Sequence, residues 1–144
     1  MSPARRARAP QYSGLVTSLL PLLLLAAVLS AGHKGRVEPG DWGGRGARLT
    51  VAKDGARLEL DCAHGSLGAM TLEEGRFDVA GRFAREHGGP TRKGEAEDTA
   101  PARYRGSVQG HTMTLEVVLE AEGGQTMGPF ELTLGGNARL MKCR

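Results

Sequence analysis

Apolar and polar residues alternate with a period of two along most of the chain beyond residue 46, which is the pattern of half-buried β-strands. Runs at residues 48–51 and 57–62 flank the pair Asp54-Gly55, and such a pair between two alternating runs is a strong hairpin signal. Further runs occupy residues 76–83, 102–108, 112–119 and 130–134, with short strands near residues 70–72 and 140–143. No window after residue 32 sustains the helical period of about 3.6 residues.

About eight short strands joined mostly by tight turns predict an all-β fold, an antiparallel up-and-down meander closed or nearly closed into a small barrel. A two-sheet β-sandwich is the alternative, because strand spacing alone does not separate the two architectures. The alternation turns inward about as many apolar side chains as an eight-stranded barrel needs to be filled. The predicted inward set is Leu49, Val51, Leu58, Leu60, Phe77, Val79, Phe83, Tyr104, Val108, Met113, Leu115, Val117, Leu119, Phe130, Leu132 and Leu134.

The first 31 residues break this pattern and resemble a secretory signal peptide. Arg5, Arg6 and Arg8 precede a leucine-rich segment, and the small-residue end contains Val28 and Ser30. The predicted organisation is a signal peptide at 1–31, a flexible N-terminal segment at 32–46 and a β-barrel-like domain at 47–144. An uncleaved membrane anchor is the alternative. A helix needs about 20 residues to span a bilayer, and the apolar segment is barely that long.

The charge balance changes once the signal peptide is set apart. The whole chain has 19 Lys and Arg against 16 Asp and Glu, and residues 1–31 hold three of the arginines and no acidic residue. The remainder is therefore neutral, with charges of both signs interspersed. Because it lacks a basic patch, nucleic acid is excluded as a partner, and no membrane association is expected after cleavage.

Cys62 and Cys143 are the only cysteines. An even pair in an exported chain predicts one disulfide, and a secreted or periplasmic location provides the oxidising compartment that it needs. Two unpaired buried thiols or a metal-binding pair are the alternatives, but no CxxC partner supports a metal site.

The connections between the predicted strands divide into two groups. Tight turns alternate with longer connections at residues 63–69, 86–101 and 121–127, which in a meander share one end of the barrel. If strand parity continues into these connections, His64, Arg85 and His87 ring the mouth at that end, and Glu86 points away from them. Imidazoles can bind zinc and an arginine can hold an anion, so these three residues form the candidate ligand-binding site.

No short metal-binding spacing supports a metal at these histidines, and ordinary loop residues beside glycines are the alternative interpretation. Ser66 and Ser107 stand in no motif of an activated nucleophile. The sequence therefore predicts a non-catalytic protein, expected to be monomeric, without a cofactor or a resident metal.

The tripeptide Gly40-Asp41-Trp42 resembles the Gly-x-Trp motif that begins lipocalin barrels, and the meander that follows is lipocalin-like in order. The resemblance implies that the tryptophan closes the barrel floor beneath a basic residue from near the last strand, here Arg139 or Lys142. The run Tyr104-x-Gly106-x-Val108-x-Gly110-x-Thr112-Met113-x-Leu115 is also similar to hairpins of small secreted bacterial domains.

A second resemblance, by size, export and a single disulfide, is to periplasmic barrel inhibitors of metalloproteases. It implies that residues 33–40 serve as a flexible blocking segment. The function expected from the sequence is therefore a secreted or periplasmic binding domain for an unknown small ligand or protein partner. Protease inhibition by protein–protein contact is one alternative, and a metal- or anion-binding site at the long-loop end is another.

Overall fold

The structure of the protein, a computed structural model, describes residues 9–11, 14, 32–87, 89, 93–94 and 97–143. Residues 31–144 form one compact unit, separate from residues 1–30. The predicted signal peptide lies almost wholly outside the described residues. Where the structure does describe the chain, it contains no helix long and apolar enough to cross a membrane.

The described part of the chain is built from ten strands and one short 3₁₀ turn at Glu120–Glu122. The strands are β1 (Lys34–Arg36), β2 (Gly40–Gly44), β3 (Ala47–Val51), β4 (Gly55–Leu60), β5 (Ala63–Gly68), β6 (Thr71–Glu73), β7 (Arg76–Arg85), β8 (Thr99–Gln109), β9 (Thr112–Leu119) and β10 (Gln125–Leu134). Eight of them form a closed barrel in the order β2-β3-β4-β5-β7-β8-β9-β10, and all of these pairings are antiparallel. The predicted closed meander is confirmed, and β1 and β6 are additional to it.

The connections fall at two ends of the barrel, much as the sequence predicts. The short-turn end holds residues 52–54, 110–111 and the β6–β7 hairpin, and the long-loop end holds residues 61–62, 86–98 and 120–124. The predicted long connection at 63–69 is wrong, because most of it is strand β5. A two-residue turn at Asp61 and Cys62, with Cys62 at φ 56°, lets the chain reverse directly after β4.

The segment 32–46, predicted to be flexible, instead contributes β1 and the barrel strand β2. Alternation cannot be seen here because glycine occupies positions that neighbouring backbone covers. A Cβ at Gly43 would overlap the backbone of Gly136, and one at Gly44 would overlap that of Glu131. Glycine is therefore required for close approach of the chain rather than for flexibility.

Trp42 begins the barrel at the short-turn end. Its side chain is fully buried, and the indole Nε1 donates a hydrogen bond to the Glu38 carbonyl at 3.0 Å. Val37 and Met70 are also buried there and are joined by a backbone hydrogen bond of 3.1 Å. Trp42 thus lies at the end with short turns. The one cation recorded over an aromatic ring among the described residues is Arg85, so no basic residue of the tail covers the indole.

The C-terminal tail completes the closure between β10 and β2. These strands pair at only two positions, Thr133 with Gly43 and Leu134 with Trp42. Beyond them Arg139 takes the place of β10, since its N–H donates to the Gly44 carbonyl and its carbonyl accepts from Gly46 N–H. The predicted strand at residues 140–143 is wrong, because the tail runs past β2 without forming one.

The predicted disulfide between Cys62 and Cys143 is confirmed, with their Cα atoms 5.0 Å apart. Met141 N–H also donates to Asp61 Oδ1 at 2.6 Å, so the tail is fixed at the long-loop end by a covalent and a polar contact. Because the bridge joins residues 81 positions apart, the chain-entropy account gives it about 4–5 kcal/mol of stabilisation.

The barrel interior is packed with side chains. Of the predicted inward set only Val108, Phe130 and Leu134 are partly exposed, and these three pack against the core. Tyr104 is fully buried on the inner face of the barrel, where its ring extends over β7 towards β5 and its hydroxyl donates to the Arg82 carbonyl at 2.7 Å. The prediction of a filled interior therefore agrees with the observed packing.

Glycines on β7, the strand paired with β8, and on β5 beyond it make room for this ring. A Cβ at Gly65 would overlap the Tyr104 hydroxyl, and a Cβ at Gly81 would lie 2.8 Å from the Tyr104 ring. The same arrangement recurs at Gly106, where a Cβ would lie 2.9 Å from the ring of Phe77. Rings of this size fill a narrow barrel only where the opposing residue has no side chain.

We expect Gly65→Ala to destabilise the protein by about 1–3 kcal/mol, because the added methyl group collides with the fixed Tyr104 ring. Tyr104→Phe removes the hydroxyl that the methyl group meets first. The double variant should therefore lose about 1 kcal/mol less than the sum of the single variants in urea unfolding. Gly68→Ala, whose Cβ would meet only ordinary contact at 3.8 Å, is the control and should change stability by less than about 0.5 kcal/mol. Strict additivity of Gly65→Ala and Tyr104→Phe would contradict the packing.

Burial raises the pKa of Tyr104. The unfolded chain loses the phenolic proton at a pKa of about 10, whereas the folded protein retains it to higher pH. The contribution of the buried, neutral phenol to the free energy of unfolding is therefore fully present below about pH 10. It is lost at about 1.4 kcal/mol per pH unit above that pH. After removal of residues 1–31, Tyr104 is the only tyrosine, so ultraviolet titration reports it directly. A phenol that titrates at its ordinary pH in the folded protein would contradict its burial.

Candidate functional site

His64 lies on β5 at the outer wall of the barrel. Its neighbours Ala63 and Gly65 are buried, whereas the His64 side chain is 20% exposed and faces outward. His64 Nε2 lies 2.7 Å from Glu97 Oε1, and Nδ1 lies 3.5 Å from Glu86 Oε1. The imidazole is therefore held between carboxylates from the two ends of the connection 86–98.

A pocket of about 120 Å³ adjoins His64 on this wall. Arg57 and Arg82 line it together with Thr99, and Arg82 Nη2 donates to the Thr99 carbonyl at 2.6 Å. The pocket contains both cationic and anionic groups, and Arg82 uses its guanidinium to hold the start of β8.

Arg85 and His87 lie at the mouth of the barrel instead. The guanidinium of Arg85 covers the ring of Phe83 at 5.8 Å, and its Nη2 donates to the Glu122 carboxylate at 3.0 Å. Arg85, His87, Asp98 and Glu122 line a concavity of about 140 Å³ there. Arg85 is already paired, so it closes the mouth over Phe83 rather than offering a free cation.

The structure thus separates the three residues that the sequence groups together. His64 does not ring the mouth, because the turn at Asp61 and Cys62 shifts the parity and turns His64 to the outside. Glu86 was expected to point away from His64, and it is instead one of the carboxylates beside that residue. Within the described residues, no group of three or more His, Cys, Asp or Glu side chains has an arrangement that can hold a metal ion.

A larger concavity lies outside the barrel at its short-turn end. The antiparallel pair of β1 and β6, which we call the ribbon, forms one wall, and the outer face of β7, β8 and β9 forms the floor. The volume of this concavity is about 1150 Å³. The sequence does not predict this concavity, because β1 of the ribbon lies in segment 32–46, where alternation predicts no strand.

The floor of this groove is a ladder of charged and hydroxyl side chains. Arg105 Nε lies 3.5 Å from Glu116 Oε2, and Asp78 accepts a hydrogen bond from Arg103 at 2.8 Å. These pairs are exposed to solvent, so they add little to stability. They leave a polar surface with both signs of charge and without an exposed aromatic ring.

No protein-family model matches the chain, and neither a curated protein nor a solved structure matches it. The fold and the geometry of these surfaces therefore carry the functional argument.

Added zinc chloride should leave the thermal unfolding midpoint unchanged, because His64 and His87 line separate concavities and no group of three or more potential ligands lies together among the described residues. The measurement compares unfolding in zinc with unfolding in EDTA. His111→Ala, in an exposed turn, is the control for nonspecific binding by imidazole. A zinc-dependent stabilisation that both His64→Ala and His87→Ala abolish would contradict this arrangement.

Proposed function

We propose that this chain is a secreted or periplasmic, non-catalytic binding domain that recognises a protein partner through the outer surface of its barrel. The filled interior carries the proposal. Small-molecule sites are concave and mostly apolar, and pockets that hold drug-sized ligands have volumes of about 300–1000 Å³. Here Tyr104 and its glycine neighbours occupy the space in which a lipocalin-like ligand would lie.

Export is supported by two independent features. The basic and apolar pattern of residues 1–31 is that of a signal peptide, and the Cys62–Cys143 disulfide indicates an oxidising compartment. Removal of the signal peptide would leave a neutral domain, which favours partners with mixed charges over nucleic acid or anionic lipid.

The inhibitor-like alternative requires residues 33–40 to reach out as a blocking segment. Much of this segment is instead paired with β6 or buried, with Val37 N–H bonded to the Met70 carbonyl. A folded surface is therefore the better-supported contact, and the groove beside the ribbon is the surface that we propose. Its volume and its mixed charges suit a polypeptide.

The test is photo-crosslinking in the cells that produce the protein, with benzoylphenylalanine at Ser107 on the groove floor. Ser66, a serine on the outer face of β5, is the matched control position. We expect one discrete protein adduct from Ser107 and none from Ser66. Equal adducts from both positions, or none from Ser107, would overturn the proposal.

A lumen ligand can be tested separately with 1-anilinonaphthalene-8-sulfonate, a fluorescent probe of apolar cavities. We expect no saturable binding to the folded protein, because Tyr104 fills the lumen. Saturable binding of one probe per chain that persists when benzoylphenylalanine occupies the groove at Ser107 would place a ligand in the barrel and overturn the proposal.

A further inference from the structure

The ribbon is not needed to close the barrel. All eight barrel strands have two neighbours without it, and β6 joins β7 only through the pair Glu73 and Arg76. The face of the ribbon that carries Leu72 packs against the core, and the opposite face, with Lys34 and Thr71, lines the groove. The ribbon therefore adds a strand, β1, whose second edge faces away from the barrel sheet.

The register of the ribbon identifies the backbone groups on that edge. Glu74 N–H donates to the His33 carbonyl and Val37 N–H donates to the Met70 carbonyl, so odd-numbered residues of β1 bond to β6. Hydrogen-bonded and non-bonded pairs alternate in an antiparallel ladder. The N–H and C=O groups of Lys34 and Arg36 therefore point to the other edge, and no strand of the described chain pairs with them.

The side chains that β1 itself places on this face are basic, and Glu73 of β6 lies opposite Lys34 in the register. Lys34 and Arg36 lie on the same face of the ribbon, next to a further concavity of about 450 Å³. Neither has a carboxylate within 4.0 Å among the described residues, and Arg36 makes only a long hydrogen bond of 3.4 Å to the Lys53 carbonyl. The edge thus offers two backbone donors, two backbone acceptors and two unpaired cations within three residues.

We propose that the free edge of β1 binds an extended segment of a partner protein by strand addition, with acidic side chains of that segment facing Lys34 and Arg36. Main-chain hydrogen bonds supply affinity in this mode, and alternate side chains supply specificity. A second copy of this chain is a poor occupant, because pairing of β1 with itself would bring four cations together. This inference rests on the proposed function and adds the class of segment that the surface selects.

The test selects binders for the exported, purified protein from a displayed library of random short peptides. We expect the selected peptides to carry Asp or Glu at alternate positions. Lys34→Pro removes one edge N–H and the charge but leaves the β6 ladder, which uses Gly35, intact. We expect it to weaken binding about tenfold, and Lys34→Ala, which keeps the N–H, to weaken binding less.

Charge reversal supplies a second variant that does not depend on proline. Lys34→Glu with Arg36→Glu should reject the selected peptides and accept counterparts in which lysine replaces each acidic residue. Arg48→Glu on β3, away from the free edge, is the matched control and should leave binding unchanged. Circular dichroism and the unfolding midpoint confirm that each variant is folded.

Any of three outcomes would overturn the strand-addition proposal. The selected peptides lack alternating acidic residues, Lys34→Pro leaves their binding unchanged, or the library yields no binder. None of these outcomes removes the adduct expected at Ser107. A persistent adduct combined with any of them means that the partner binds the groove without pairing with β1. Loss of the adduct itself would instead overturn the proposed function.

Discussion

The packing of the Tyr104 ring against glycines, which have no side chain, governs the interior of this protein. The ring of Tyr104 lies over the inner face of the neighbouring strands β7 and β5, and Gly81 and Gly65 on those strands supply the space for it. A side chain at either glycine position would force the ring to move. Removal of the ring would leave a cavity, because the two glycines have no side chains to fill it. Buried side chains, Tyr104 among them, fill the lumen, and the proposal that recognition uses the outer surface rests on this packing.

Closure of the barrel depends on a second constraint, at the junction of β10 and β2. Two residue pairs are a short ladder for a barrel seam, and the tail extends it through the bridge between Arg139 and Arg45. The tail has little apolar surface of its own to hold it there, since Met141 is largely exposed. The disulfide therefore has a specific role, because it keeps the tail where its backbone hydrogen bonds can form. Closure of the junction between β10 and β2 is therefore supported by a disulfide, which needs an oxidising compartment.

The sequence predicts the strands in which side chains alternate and fails where glycine replaces them. β3, β4, β7, β8, β9 and β10 follow from period-two alternation, and so does most of the core. β2 and β5 are not predicted, because Gly43, Gly44 and Gly65 occupy positions where neighbouring groups fill the space of a side chain. Only the folded structure reveals these close approaches. The error at His64 has a different origin. Parity was extrapolated through Cys62, where a residue with positive φ resets it.

A closed barrel normally removes every strand edge, which protects it from pairing with other chains. This chain forms the closed barrel and then extends the sheet by two strands, so that an edge reappears at β1. Lys34 and Arg36 on that edge repel a second copy, which is how natural sheets prevent self-association. The same cations do not repel an acidic strand, and they would attract one to backbone groups that are otherwise left to water. The charges therefore do not block the edge but determine which chain can use it.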